Sequence, residues 1–94
     1  MFILHIEHKV ASYAGWKKAF DADPLDRKKL RVRSYRICRP LEDPNFVIID
    51  LEFDTLAQAE ATLATLRLMW QQIEGKIVSD PRARILDLAE SKKF

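Results

Sequence analysis

The sequence predicts an α+β domain with the element order β-α-β-β-α-β, the ferredoxin-like split βαβ pattern. Three observations carry that expectation. The run Phe2 to Val10 alternates apolar and polar residues, as does Arg31 to Arg39 around Val32, Tyr35 and Ile37. Asn45 to Phe53 is rich in β-branched residues. Between and after these runs lie two segments whose apolar residues recur at steps of three and four, the spacing of one helix face.

Taken in order, the first strand puts Phe2, Leu4, Ile6 and Val10 on one face and Ile3, His5, Glu7 and Lys9 on the other. His8 falls toward the helix side and carries no predicted role. Ser12 can cap a helix in which Tyr13, Trp16 and Phe20 form an aromatic stripe. Gly15 inside that helix costs about 1 kcal/mol relative to alanine, so a close backbone contact is expected there. Asp23-Pro24 ends the helix, because the residue before proline avoids the α region. The second and third strands flank Pro40-Leu-Glu-Asp-Pro44-Asn45, whose proline and Asx chemistry predicts a hairpin. Thr55-Leu-Ala-Gln58 has the form of a capping box. It opens a second helix with Leu56, Ala59, Leu63, Leu66, Trp70 and Ile73 as its stripe and Gly75 at C′. Asp80-Pro81 reads as a turn and Arg84 to Ala89 as the last strand.

The length of 94 residues suits a single domain spanning 1–94, since two domains would each lack a core. A net charge of +2 gives no argument for nucleic acid or an anionic membrane. Apolar runs such as Phe46 to Ile49 are far too short to span a bilayer. The start Met1-Phe-Ile-Leu-His-Ile-Glu lacks the features of a secretory leader. Cys38 is the sole cysteine, which excludes an internal disulfide and an all-cysteine metal site, and a reducing cytoplasm is the expected compartment. The RNA-recognition motif shares this element order, but it needs a basic, glycine-containing start to its third strand. Here that strand begins Asn45-Phe46, and Asp50 and Glu52 on its open face would repel phosphate. The basic run from Lys28 to Arg36 fits a charged edge strand.

Two helices with one apolar stripe each can cover only one face of a four-stranded sheet. Val47, Ile49, Leu51 and Phe53 mark the covered face of strand three. The opposite face carries Phe46, Ile48, Asp50 and Glu52, with Ile3, His5 and Glu7 from strand one and Ile85 and Asp87 from strand four. That mixture is too apolar for a solvated face and too acidic for a dry core. It suits closure by a second copy around a partly wet interior, so a homodimer is expected.

The segments Val10-Ala-Ser-Tyr13-Ala-Gly-Trp16-Lys-Lys-Ala-Phe20-Asp21, Asp43-Pro44-Asn45-Phe46-Val-Ile-Ile-Asp50-Leu-Glu52-Phe53 and Arg84-Ile85-Leu-Asp87 resemble a group of small bacterial proteins. These belong to the dimeric α+β barrel superfamily, alongside the antibiotic-biosynthesis monooxygenase-like proteins. The resemblance runs nearly end to end. It implies a homodimer whose two sheets enclose a cavity for a small organic molecule. The superfamily includes cofactor-free oxygenases, isomerases, haem-degrading enzymes and members without known chemistry, so the fold does not fix the activity. The haem-degrading relatives hold iron through a helix histidine, and Thr55 to Glu74 contains none. No cofactor is expected.

Strands one and three are neighbours in this topology, which directs His5, Glu7, Asp50 and Glu52 into one interior, with Asp87 beside them. A histidine near neutrality can take a proton from an activated C–H or O–H, and crowded carboxylates raise one another's pKa. By that chemistry His5 is the candidate base, with Asp50 or Glu7 orienting it. Arg36 would hold an anionic substrate oxygen, while Phe46, Ile48, Glu52 and Asp87 complete the binding surface. Strand two could instead face Arg33 and Tyr35 inward. His5, Glu7 and Asp50 include the ligand types of a histidine–carboxylate metal centre, but one inward histidine is thin support and no metal is expected. The same residues also fit a satisfied polar network or ion pairs across a dimer, and a non-catalytic ligand-binding or structural homodimer is the alternative function. Tyr13, Trp16, Phe20 and Trp70 read as core, Trp70 with the option of edging a pocket.

Overall fold

The computed structural model describes residues 1–73 and 78–94. Its elements are β1 (Phe2–Val10), α1 (Tyr13–Asp21), β2 (Ser34–Cys38), β3 (Phe46–Phe53), α2 (Leu56–Ile73) and β4 (Val78–Asp87). The strands form one antiparallel sheet in the order β2-β3-β1-β4, with both helices on one face. This is the ferredoxin-like α+β fold. Among the described residues, no helix is long and apolar enough to cross a membrane.

Period two decides what each strand buries. Leu4, Ile6 and Val10 of β1 and Val47, Ile49, Leu51 and Phe53 of β3 lie under the helices. β1 and β3 pair from Phe2↔Phe53 to Lys9↔Phe46, so their buried residues oppose one another across the whole ladder. Trp16 of α1 and Ala59, Leu63, Leu66 and Trp70 of α2 close the core from above.

Local chemistry sets the helix starts. Ser12 Oγ accepts from the Gly15 N–H at 3.3 Å, and Asn45 Oδ1 accepts from the Tyr13 N–H at 3.1 Å. The Asn45 carbonyl also accepts from the Val10 N–H at 2.8 Å, so one residue of the hairpin ties the end of β1 to the start of α1. The capping box of α2 is reciprocal: the Gln58 N–H donates to Thr55 Oγ1 at 3.2 Å, and the Thr55 N–H donates to Gln58 Oε1 at 3.3 Å. Leu56 is exposed, and the buried stripe begins at Ala59. Thr62 joins that stripe without orphaning its hydroxyl, which donates to the Gln58 carbonyl at 3.0 Å. The expected C′ glycine, Gly75, lies outside the described residues.

Two expectations need correction. Gly15 makes no close approach: a Cβ there would meet only Ser12 Cβ and Oγ at 3.9 Å, an ordinary contact on an exposed helix face. The larger correction concerns the last strand. Asp80-Pro81 does not turn the chain but lies inside β4. Glu7 pairs with Arg82 and Lys9 with Ser79, so the single residue between them on β1, His8, is matched by two on β4, Asp80 and Pro81. The extra residue forms a bulge at Asp80, whose φ is 51°, a left-handed conformation that aspartate tolerates. β4 is an edge strand, so the missing N–H of Pro81 costs no interior ladder bond. Leu4↔Ile85 and Phe2↔Asp87 pairing then puts Ile85 and Asp87 on the helix-side face. Arg82, Arg84 and Leu86 take the open face in their place.

Replacing Gly15 by alanine should raise stability by up to about 1 kcal/mol, because it removes unfolded-state freedom without a clash. Thr55→Ala should lower stability by about 1 kcal/mol through loss of the cap. Urea denaturation of both variants checks this, and a destabilised G15A would mean that the glycine is required after all.

Candidate functional site

The open face is organised as rows across the sheet. Register places Arg84, His5, Asp50 and Arg36 side by side on four successive strands. Asp50 is the centre of this row. His5 Nδ1 lies 2.7 Å from Asp50 Oδ1, and Arg36 donates to Asp50 Oδ2 at 3.1 Å. Because a carboxylate only accepts, His5 Nδ1 is the donor to Asp50, and its Nε2 faces Glu7, 3.5 Å from Oε2. The neighbouring row holds Ile3, Glu52 and Ser34, with Ser34 Oγ donating to Glu52 Oε2 at 2.8 Å. Asp50 also holds the Arg36 guanidinium protonated more firmly than usual through that hydrogen bond.

The structure therefore brings together His5, Glu7, Asp50 and Arg36, and settles strand two in favour of Ser34 and Arg36 on the open face. Tyr35 pairs with Leu51 on the helix side. Phe46 and Ile48 also lie on the open face, opposite Lys9 and Glu7. Asp87 does not join the set. The bulge in β4 leaves it on the helix-side face, paired with Phe2, while Arg84 is the residue beside His5. As for the metal option, His5 spends one nitrogen on Asp50 and turns the other to Glu7, so the three residues bind each other. Among the described residues no group of three His, Cys, Asp or Glu is arranged to hold a metal ion.

The second candidate lies on the other face. Between the sheet and the helices is a cavity of about 300 Å³. Ile6, Ile49 and Leu51 form its floor, Trp16 and Phe20 of α1 one wall, and Leu66 and Trp70 of α2 another. On the α1 wall Trp16 is centred 5.2 Å from Phe20, and Phe20 in turn lies 5.1 Å from Tyr35 of β2. Three polar residues enter this lining: His8, Arg27 and Thr62. Arg27 comes from the segment after α1. Its guanidinium lies 4.0 Å over the Phe20 ring and 5.1 Å from that of Tyr35, and donates to the Phe20 carbonyl at 2.9 Å.

His8 is only 3% exposed and meets Trp16 edge-on, with ring centroids 6.0 Å apart. Its Nδ1–H donates to the Lys9 carbonyl at 3.2 Å. Burial, more than that hydrogen bond, sets its titration and pushes it below the usual value of 6.5. His8 is the residue that sequence reasoning passed over. The available signal was its parity, which set a titratable ring beneath an aromatic stripe. Arg27 gave no such signal, because it reaches the cavity through irregular chain.

No protein-family model matches this chain, and no curated protein matches it in sequence. Solved structures do match in shape. A candidate antibiotic biosynthesis monooxygenase from Deinococcus radiodurans superposes with a TM-score of 0.69 at 16% identity, over 100% of this chain and 98% of that one. An antibiotic biosynthesis monooxygenase gives 0.63 at 15% identity, over 93% and 97%. The chain shares their fold. A protein from Agrobacterium tumefaciens gives 0.65 at 11% identity, over 93% and 92%. The likeness covers these neighbours nearly end to end. At such identities it speaks for architecture, and the side chains must argue the chemistry.

The buried histidine makes stability depend on pH with a definite sign. The folded state holds His8 below 6.5, so between that lowered value and 6.5 the unfolded chain binds more protons. Stability supplied by neutral His8 is thus full above 6.5 and falls as pH drops through that window. His8→Phe should lose less stability than wild type between about pH 7 and 5, measured by urea denaturation at each pH. Equal slopes would show that His8 is not held neutral.

Proposed function

We propose that the protein binds a small, mainly apolar organic molecule in the cavity between sheet and helices. Cofactor-independent monooxygenase-like or isomerase-like turnover of that molecule is the activity class. The observation that carries this reading is the cavity itself. Ligand sites are concave, largely apolar and furnished with a few converging polar groups, and they begin at about 300 Å³. The names of two structural neighbours, both given as antibiotic biosynthesis monooxygenases, support the activity class. The sheet's open face, with Ile3, Phe46, Ile48 and Leu86 among its charged rows, serves in this reading as the surface that a second copy covers.

A second reading rests on the 2.7 Å contact of His5 with Asp50. An imidazole oriented by a carboxylate is the arrangement of a general base, and Glu7 faces its other nitrogen. Enclosed by a second copy, His5, Glu7 and Asp50 would then be the reacting groups, with Arg36, Phe46, Ile48 and Glu52 around the substrate.

The two readings separate by substitution. Ala19 lines the cavity from α1 and is only half-buried, so Ala19→Phe fills space without breaking the sheet. Against a panel of aromatic compounds, A19F should weaken binding at least about tenfold, and His5→Ala should leave binding unchanged. Oxygen uptake or product formation lost in A19F supports the cavity. Turnover lost in H5A with binding intact moves the chemistry to the open face, and wild-type protein that binds nothing in the panel argues for the non-catalytic, structural alternative. Light scattering across a concentration range should give a stable dimer mass, and a monomer would remove the covered face from the proposal.

A further inference from the structure

Edge protection does not account for the basic run of this chain. Lys28, Lys29, Arg31 and Arg33 were expected to guard an edge strand, but β2 begins only at Ser34. They lie instead in the irregular segment before it. Lys28, Arg31 and Arg33 line one groove of about 490 Å³, together with Val32, Asp54 just beyond β3 and Gln58 of α2. The groove shares no lining residue with the cavity under the helices.

We infer that this groove binds a phosphate dianion, as the free ion or as the ester group of a small organic molecule. Among the described residues the one ion pair within the lining joins Arg33 Nε to Asp54 Oδ2 at 3.7 Å, which leaves Lys28 and Arg31 uncommitted. Three cations against one carboxylate make the lining positive by two charges. A phosphate monoester carries about −1.5 to −2 at neutral pH, so the charges match. The backbone gathers these cations. The Arg31 N–H donates to the Lys28 carbonyl at 3.1 Å, closing a turn between the two uncommitted residues. Arg31 itself holds φ at 69°, a left-handed conformation uncommon for arginine. Like charges crowded on a bent backbone oppose folding, and charge-assisted hydrogen bonds to one bound anion offset that. Gln58 adds the first turn of α2, which carries no acidic side chain to answer the positive end of an 18-residue helix. A nucleic acid fits less well. It needs a basic surface longer than this groove, and the sheet beside Arg33 presents Glu52 and Asp50.

Titration with inorganic phosphate and with glycerol phosphate, read by calorimetry and phosphorus-31 spectra, tests this. The residues to be changed are exposed, so the fold is kept. Lys28→Ala and Arg31→Asn should each weaken binding about tenfold, asparagine being chosen because it tolerates the left-handed backbone. Asp54→Asn removes the opposing carboxylate and should tighten binding about threefold. Lys29→Ala makes the same change of charge outside the lining and should stay within about twofold of wild type. Tighter binding of the ester than of the ion identifies an ester as the ligand, and equal binding identifies the ion. Equal losses in K28A and K29A, for phosphate or for a short oligothymidylate, would show a diffuse positive surface and overturn the site. Wild-type protein that takes up neither phosphate compound at millimolar concentration would overturn it as well.

Discussion

The pairing of β1 with β3 is the constraint on which everything else in this structure rests. Eight residue pairs in unbroken antiparallel register fix which side of the sheet every side chain of the two central strands takes. A slip of β3 by one residue would turn Val47 and Ile49 outward and bring Asp50 and Glu52 under the helices, at several kcal/mol for each unpaired buried carboxylate. The same register sets His5 against Asp50 on one face and His8 among the aromatics on the other. The two histidines, three residues apart, thus live in different solvents.

That contrast explains their different chemistry. Along the open face a row runs from Arg84 through His5 and Asp50 to Arg36, and each oxygen of the carboxylate has a donor. Such a row suits an interior that admits water, and its arginine is largely exposed, so the pair contributes little to stability. Beneath the helices the arrangement is reversed. The cavity walls are apolar, the polar groups few, and each of those groups is already bonded once to the backbone, which orients it. A group held in this way can discriminate between ligands without first paying to be ordered.

The legibility of the fold from sequence followed the same physics. Alternation and helical spacing are signals of burial, and they located β1, β3 and the stripes of both helices together with their caps. They also identified His5, Glu7 and Asp50 as neighbours on the open face, while alternation in strand two left either Arg36 or the Arg33–Tyr35 pair as the inward residues. β4 escaped because a single bulged residue inverts parity, and Asp80-Pro81 carries turn chemistry whether or not the chain turns. The cavity escaped for another reason. Period shows which residues leave water, and a void is a property of how imperfectly they then fill space. Leu25, Arg27 and Leu30 reach it from a segment without any period at all, so no pattern could have announced them.

The bulge in β4 has a consequence beyond the facing of Asp87. A sheet recruits further strands through unpaired backbone groups along its rims, and here both rims are poor templates. One rim carries a left-handed residue followed by a proline that offers no N–H, then Arg82 and Arg84. The other is β2, only five residues long. Strand-by-strand growth into fibrils is blocked at either side, and a second copy can meet this sheet only broadside. Association of that kind would use up its own surface, and so would end at a pair.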